Sequence, residues 1–456
     1  QSAAAVMKIE TELARSAMDR TLRRDPASRD HAMTIAELEK IAPSFGFERY
    51  FAAVGAPRFA KLNVGNPDFF TRVNALIDSI PLESWKTYLA WQLLNGSATA
   101  LSDDIVQEDF KFQQALTGQQ QLQARWKRCV NATDAALGEA LGQRYVEKTF
   151  GEDGKRRMLK MVDALEKALK EDIGGLPWMT DTTKKQAQIK LTAIRNKIGF
   201  PDRWRDYGKL EIERGDMLGN VQRAAIFEGN RVLQKIGKPV DNTEWAITPP
   251  TVNAYYSGER NEIVFPAGIL QPPAFDVNAT DAVNYGAIGV VIGHEISHGF
   301  DDQGAQFDAQ GRLSNWWTDA DLKSFQQRGQ CVVDQFEGYF IEPAIHHNGR
   351  LVLGEAIGDL AGARIAYAAY QKALQKRPQP SRDGFTPEQQ FFIAWGQFRG
   401  DQIRPETQRL MVQGDPHPIA KYRVIGPLSN LTSFQQAFSC KAGDPMVRGQ
   451  NRCEVW

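Results

Sequence analysis

The sequence predicts a mainly α-helical protein built in two parts, and three observations carry that prediction. Apolar residues recur at helical spacing along the chain, a proline-rich connector interrupts the pattern near residue 240, and the composition changes beyond it. From Gln1 to about Lys238 the pattern is mostly helical. Over Lys155–Asp172, Met158, Leu159, Met161, Val162, Leu165 and Leu169 stand three and four apart among Lys, Arg and Glu. A second helix is expected over Thr180–Ile198, with Thr180 or Asp181 as its cap and Ile189, Leu191 and Ile194 on its apolar side. Such stripes are packing faces. No internal repeat is found. The connector Ile236–Val252 holds Pro239, Pro249 and Pro250, and the part beyond it is richer in Gly, Pro and aromatics. A further loop is expected over Arg377–Glu388, rich in Pro, Ser and Gly.

Composition bounds the function. The chain has 456 residues with 42% hydrophobic content, enough for a sizeable core and for two to four domains. Lys+Arg and Asp+Glu both number 55, and a formal charge of zero argues against a nucleic-acid-binding protein. A charged fraction of 24% argues against wholesale disorder. The longest apolar stretch, Ala282–Gly293, contains Asn284 and falls short of the ~20 residues of a membrane span. The first residue is Gln1 and no signal pattern follows it, so a processed, trimmed or partial product is expected. Four cysteines (Cys129, Cys331, Cys440, Cys453) lack a zinc C-x-x-C pair and are compatible with free thiols or scattered disulfides. Four N-x-[ST] triplets, at Asn95, Asn131, Asn278 and Asn430, support secretion only weakly.

The chemistry sits in the second part, which holds five of the six histidines. His294-Glu295-Ile296-Ser297-His298 matches H-E-x-x-H, and its flanks (Ala287 to Ile292, then Gly299) support a helix. On a helix, positions i and i+4 share a face, so both imidazoles reach one ion while Glu295 addresses a water beside it. A catalytic zinc needs a third protein ligand and an open position. Glu355 is the candidate, in Gly354-Glu355-Ala356-Ile357-Gly358-Asp359 at the head of a helical run, Glu355–Lys372. Asp359 stands one turn on, placed to accept a hydrogen bond from a ligand imidazole. Asp301, three residues after His298, is a second carboxylate for that task.

These residues carry a resemblance. Asn253-Ala254-Tyr255-Tyr256, Glu262–Pro273 (E-I-V-F-P-A-G-I-L-Q-P-P) and Val291–Asp302 (V-I-G-H-E-I-S-H-G-F-D-D) stand in the order found in the neprilysin family of zinc metallopeptidases, which includes the endothelin-converting enzymes. Gly354–Gly362 (G-E-A-I-G-D-L-A-G), Asp415-Pro416-His417-Pro418, Tyr422-Arg423 and the final Cys453-Glu454-Val455-Trp456 complete the set. The first half resembles the family's helical domain through less distinctive motifs such as Trp126-Lys127-Arg128-Cys129.

The resemblance implies a mainly α (α+β) fold, with a thermolysin-like zincin catalytic domain holding a small sheet, capped by a helical domain. The expected division is a partial covering domain at 1–238, a connector at 239–250 and a catalytic domain at 251–456. The resemblance implies one Zn2+ per chain, held by His294, His298 and Glu355, with Glu295 as general base. Asp359 and Asp301 would orient the ligand histidines. Asn253 and Ala254 would hydrogen-bond the substrate backbone, His417 would steady the oxyanion, and Arg423 would hold a carbonyl on the primed side. His31, His346 and His347 match no family motif and are expected at the surface. The implied activity is zinc-dependent hydrolysis of short peptides on the amino side of hydrophobic residues, in an extracytoplasmic setting.

Two departures from the family pattern stand out. The chain lacks anything resembling the family's additional N-terminal segment, so a further piece of the same protein is an expected partner. By the family pattern Cys331 pairs with Cys453, whereas Cys129 and Cys440 would pair with cysteines of that segment. A Cys331–Cys453 bridge would contribute roughly 4–5 kcal/mol in the chain-entropy view. Secondly, Ala274-Phe275 replaces the two aromatics that family members carry after Q-P-P, which should deepen an apolar pocket beside Ile269 and Val290 or Val291. Two other classes compete: a binding protein that kept the fold, against which the intact Glu295 and Glu355 argue, and a gluzincin aminopeptidase, whose third ligand lies closer to the motif.

Overall fold

The computed structural model describes residues 2–456. The chain forms two compact units, one of residues through Leu137 with Arg205–Asn242, the other of Gly138–Trp204 with Thr243–Trp456. This grouping differs from the division at residue 238, because the stretch 138–204 packs with the second part.

The first unit is helical, with Ser2–Ser16, Pro67–Ser79, Leu82–Ser97, Asp103–Thr117 and Met217–Leu233 as its longer helices. Its core is small: Leu38, Ala42, Phe47 and Val64, beside a short antiparallel pair, Ala32–Met33 with Leu62–Asn63. Helix Leu82–Ser97 buries none of its residues. The helix Arg125–Thr149 breaks at Leu137, where φ falls to −134°, and the chain passes there into the second unit.

In the second unit, α1 (Gly151–Gly175) buries Met158, Val162, Leu165, Leu169 and Ile173, the stripe read from the sequence, in one large core. Helix α2 (Asp181–Thr192) is shorter than the helix expected over Thr180–Ile198. It stops at Thr192 because the next residues, β1 (Arg195–Gly199), pair in parallel with a later strand. Pairing and burial override the helical spacing of Ile194 and Ile198. The sheet is completed by β2 (Tyr255–Ser257) and β3 (Glu262–Pro266), in the order β1-β3-β2, with Arg195 opposite Glu262 and Tyr255 opposite Val264. Every residue of β3 is buried, while β2 lies at an edge. This strand exchange and the α1 stripe are why 138–204 belongs with the second unit. Asp321 joins the segments further: its carboxylate accepts from Thr180 N (3.1 Å) ahead of α2 and from Thr318 Oγ1 (2.7 Å), the cap of α3 (Asp319–Glu337). Since α3 begins only at Asp319, this one buried carboxylate ties two helix starts more than a hundred residues apart.

The helical run around H-E-x-x-H starts at Thr280, whose side chain caps Asp281–Asn284, and continues through a π turn at Tyr285–Gly289. Next comes the regular helix Val290–Ser297, here called the motif helix, and a 3-10 turn at His298–Phe300. Leu353–Lys376, the Glu355 helix, packs against it through glycines one turn apart. A Cβ on Gly362 would lie 2.6 Å from His294 N, and one on Gly293 would lie 2.8 Å from Gly362 O. Only glycine allows two backbones so close. Cys331 and Cys453 form a disulfide with Cα atoms 5.6 Å apart, the pairing that the resemblance implied, and Cys129 and Cys440 are free. Among the described residues no helix is long and apolar enough to cross a membrane.

Candidate metal centre

The motif helix places His294 and His298 on one face, with their Nε2 atoms 2.9 Å apart. The Glu355 helix brings Glu355 to them from its first turn: Oε2 lies 3.3 Å from His294 Nε2 and Oε1 lies 3.7 Å from His298 Nε2. Glu295 is buried and forms with both histidines a cluster whose ligand atoms lie within 4.8 Å of one another. All four side chains expected at the centre are thus together.

Carboxylates stand behind each imidazole. His298 Nδ1 is 2.7 Å from Asp301 Oδ2, and Asp301 Oδ1 accepts from the backbone N–H groups of Gln303 (2.8 Å) and Gly304 (2.7 Å). His294 Nδ1 is 2.9 Å from Asp359 Oδ1. Asp359 in turn receives the fork of Arg423, with Nε at 2.7 Å and Nη2 at 2.8 Å. Arg423 is buried, so the pair is an interior one, and its Nη2 also lies 3.5 Å from Glu355 Oε2. His417 Nε2 approaches Glu355 Oε2 to 3.1 Å, while its Nδ1 lies 2.7 Å from Asp415 Oδ1. Asn253 and Ala254 lead into the edge strand β2, Asn253 exposed and Ala254 buried, outside this hydrogen-bonded cluster.

The electrostatics follow from that crowding. Burial opposes ionisation of Glu355, yet the charge of His298 and the close approach of the His294 and His417 rings hold it well below the usual carboxylate range. Burial likewise opposes the Asp359 charge, and the Arg423 guanidinium overcomes it. Burial would push His298 down, but the charge of Glu355 and the Asp301 hydrogen bond raise it to about 10. For His417 burial is again outweighed, here by Asp415 and Glu355, and its pKa rises to about 9. Around the two motif imidazoles stand Glu295, Asp301, Glu355 and Asp359, with Arg423 as the buried counter-cation.

That donor set fits zinc. Two ligands ~2.0–2.1 Å from one ion at a tetrahedral angle stand ~3.3 Å apart. The 2.9 Å between the two Nε2 atoms and the approaches of the Glu355 carboxylate, Oε2 to His294 at 3.3 Å and Oε1 to His298 at 3.7 Å, straddle that value. Glu355 Oε2 is buried without a well-aligned hydrogen bond, as expected of an atom facing a cation site.

Comparison with known proteins agrees with this geometry. The family model described as Peptidase family M13 matches residues 253–455, and a second model of the same family, for its N-terminal part, matches residues 1–201. The chain belongs to peptidase family M13. This M13 chain is 40% identical to zinc metalloprotease ZMP1 of Mycobacterium tuberculosis, solved with an inhibitor; the match covers 100% of this chain and 70% of that one, with a TM-score of 0.96. PEPO from Lactobacillus rhamnosis HN001 is 29% identical with a TM-score of 0.92, over 100% of this chain and 71% of that one. Endothelin-converting enzyme 1 of Bos taurus is 35% identical over 471 residues, covering 99% of this chain and 62% of that protein. The chain spans about three fifths of the length of the curated relatives it matches. The family and the mainly helical zincin fold expected from the motifs are thereby confirmed.

Two side chains near His417 in sequence or contact have roles that the sequence reading did not assign. Asp415 holds both Nδ1 and the backbone N–H of His417, and the signal was available, a carboxylate two residues before a histidine. His347, expected at the surface, is buried: its Nε2 accepts the N–H of Ile419 at 3.0 Å and its ring meets Tyr422 edge-on. The correction has a physical cause, since the buried N–H of Ile419, just after His417-Pro418, needs an acceptor. Nothing in the local sequence announces that partner.

Proposed function

We propose that this chain is a zinc-dependent endopeptidase acting on short peptides. One observation carries the reading: His294 Nε2, His298 Nε2 and Glu355 converge within 3.7 Å beside the carboxylate of Glu295. His294, His298 and Glu355 would hold one zinc ion. When bound, zinc supplies Lewis acidity, polarising the scissile carbonyl and easing the ionisation of water.

The chain's own residues do the rest. Glu295 takes a proton from the attacking water and passes it to the leaving amine. His417, charged through Asp415 and Glu355, donates Nε2–H towards the oxygen on which negative charge develops, a contribution of about 2.7–4 kcal/mol for donors of this kind. Asp301 and Asp359 hold the imidazoles in one tautomer and one orientation. The edge strand β2 offers unpaired backbone groups to an extended peptide, which Asn253 and Ala254 would align as an added strand. Arg423 would meet a carbonyl on the primed side with the part of its guanidinium that Asp359 leaves free. Cleavage on the amino side of hydrophobic residues and a preference for short peptides rest on the family resemblance. The Cys331–Cys453 bridge supports an oxidising, extracytoplasmic setting.

The test uses the zinc-loaded chain and a quenched peptide with a blocked N-terminus. Turnover of the blocked peptide is expected, and its absence beside cleavage of the free-amine peptide would indicate an aminopeptidase. Glu295→Gln should keep zinc and lose nearly all turnover. Loss of zinc in that variant would make Glu295 a metal-site residue instead of a base.

A further inference from the structure

We propose that Lys190 is a positioning residue of the metal centre, pinning the turn that aims His298. The proposal rests on the zinc reading above. Lys190 lies near the end of α2 and is 1% exposed, although lysine is among the residues least often fully buried without a partner. Among the described residues no carboxylate pairs with its ammonium. Nζ instead donates to two backbone carbonyls of one segment, Gly304 O at 2.6 Å and Phe307 O at 2.7 Å. The rings of Phe300 (5.6 Å), Trp316 (5.8 Å) and Tyr256 (5.9 Å) surround it, so its charge sits in an aromatic cage.

The clamped segment is the one that holds His298. Gly304 is bonded from both sides: its N–H goes to Asp301 Oδ1 at 2.7 Å and its C=O to Lys190. The other oxygen of Asp301 faces His298 Nδ1 at 2.7 Å. Gly304 also lies so close to the end of the motif helix that an added Cβ would stand 1.8 Å from His298 O. Without the ammonium, Gly304 O keeps only the N–H of Phe307 (3.0 Å) and Phe307 O only the indole N–H of Trp316 (3.0 Å). The tie from α2 to this turn is then lost, and the turn has reason to swing outward, carrying Asp301 with it. The backbone of Lys190 extends the brace: its C=O accepts from Asn261 Nδ2 at 3.1 Å, and Asn261 Oδ1 accepts from Tyr256 OH at 2.9 Å on β2. One residue therefore ties α2 to the His298 turn and to the strand that follows Asn253 and Ala254.

Burial pushes the Lys190 ammonium down to about 7, against the opposing charges of Asp301 and Asp308. Neutral or charged, the amine keeps N–H groups enough for both carbonyls. An apolar side chain of the same length would fill the cage at lower desolvation cost, so packing alone does not explain a lysine here.

The experiment compares Lys190→Met, which keeps length and loses the donors, with Asp301→Asn and the double variant. Zinc dissociation into a chelator, melting of the zinc-free protein and kcat with KM are measured below the melting range. Lys190→Met should weaken zinc binding about 10–100-fold and lower kcat with little change in KM, as removal of a group behind a ligand does. The double variant should be no worse than its weaker parent, because both changes loosen one turn. Lys190→Gln, which retains donors, should recover part of the loss, and it carries the test if the Met variant fails to fold. Zinc affinity within twofold of wild type in the folded Lys190 variants, or full additivity with Asp301→Asn, would overturn the proposal and leave Lys190 a brace of the core. A wild-type chain that holds no zinc would remove the metal-site reading itself.

Discussion

A methyl group added at Gly358 tests how the two helices share the centre. Its Cβ would stand 2.6 Å from His294 Nδ1 and 2.8 Å from Cε1. Ordinary contact needs about 3.5 Å, so the imidazole must yield by about 1 Å. That displacement takes Nδ1 off Asp359 Oδ1, now 2.9 Å away, and turns Nε2 from its partners. Two effects on stability oppose each other. Replacing an interior helical glycine by alanine gains about 1 kcal/mol, whereas overpacking costs about 1–3 kcal/mol. The zinc-free protein should therefore lose at most about 2 kcal/mol, while zinc affinity falls about 10–100-fold. Gly362→Ala makes the contrast, since its Cβ would meet backbone, His294 N at 2.6 Å and Val290 O at 2.7 Å. Backbone cannot rotate aside, so Gly362→Ala should lower the melting temperature far more than Gly358→Ala. The assay pairs competition against a chromophoric chelator with thermal melting of the zinc-free chain. If Gly358→Ala keeps its zinc affinity yet melts as low as Gly362→Ala, the ring is not pinned between these helices.

Three further outcomes are expected. Glu355→Ala should hold no zinc after dialysis, whereas Asp359→Ala should bind it about 10–100-fold more weakly, and full occupancy in Glu355→Ala would remove it from the ligand set. Arg423→Ala leaves the buried Asp359 carboxylate without its counter-cation and with His294 Nδ1 as its remaining contact, so it should cost about 3–5 kcal/mol of stability in addition to lowering kcat/KM; denaturant midpoints equal to wild type would refute the interior pairing. Ala274 is buried beside Phe275, near the start of the motif helix, and its C=O accepts the N–H of Ile288 at 3.1 Å. Ala274→Phe should shift the kcat/KM ratio for paired peptides towards Leu and away from Phe after the scissile bond, and an unchanged ratio would mean that Ala274 does not line the pocket.

What could be read from the sequence was what short-range spacing encodes. H-E-x-x-H is an i, i+4 pattern, and so is Glu355 with Asp359, so each pair lands on one helix face whatever surrounds it. The α1 stripe was visible for the same reason. What escaped depends on partners distant in sequence. Ile194 and Ile198 keep a helical spacing, yet their segment becomes β1 because Glu262–Pro266 supplies the pairing. Lys190 reads as one more cation on an amphipathic helix until Gly304 and Phe307, more than a hundred residues on, present their carbonyls. His347 resembles its exposed neighbour His346 in every local respect, and only the buried N–H of Ile419 sets it apart. The glycines of G-E-A-I-G-D-L-A-G were legible as a motif, but their task, admitting the motif helix to backbone contact, needed coordinates.

The bridge between Cys331 and Cys453 bears on how the protein is to be produced. The two thiols are 122 residues apart in sequence, and the loop between them contains Glu355, His417 and Arg423, while His294, Glu295 and His298 lie outside it. Cys440 is free and stands only thirteen residues before Cys453. In an unfolded chain the shorter loop closes at lower entropic cost, by about 2 kcal/mol for this ratio of lengths, which is a roughly thirtyfold kinetic preference. Oxidation ahead of folding therefore traps Cys440 with Cys453, and the native pair is regained only through thiolate exchange. Once the chain has folded, Cys331 and Cys453 stand 5.6 Å apart at their Cα atoms, within bonding geometry, and Cys440 no longer competes. Refolding in a reducing buffer, with oxidant added late or a thiol present to reshuffle, is thus the route to material in which both halves of the centre are assembled.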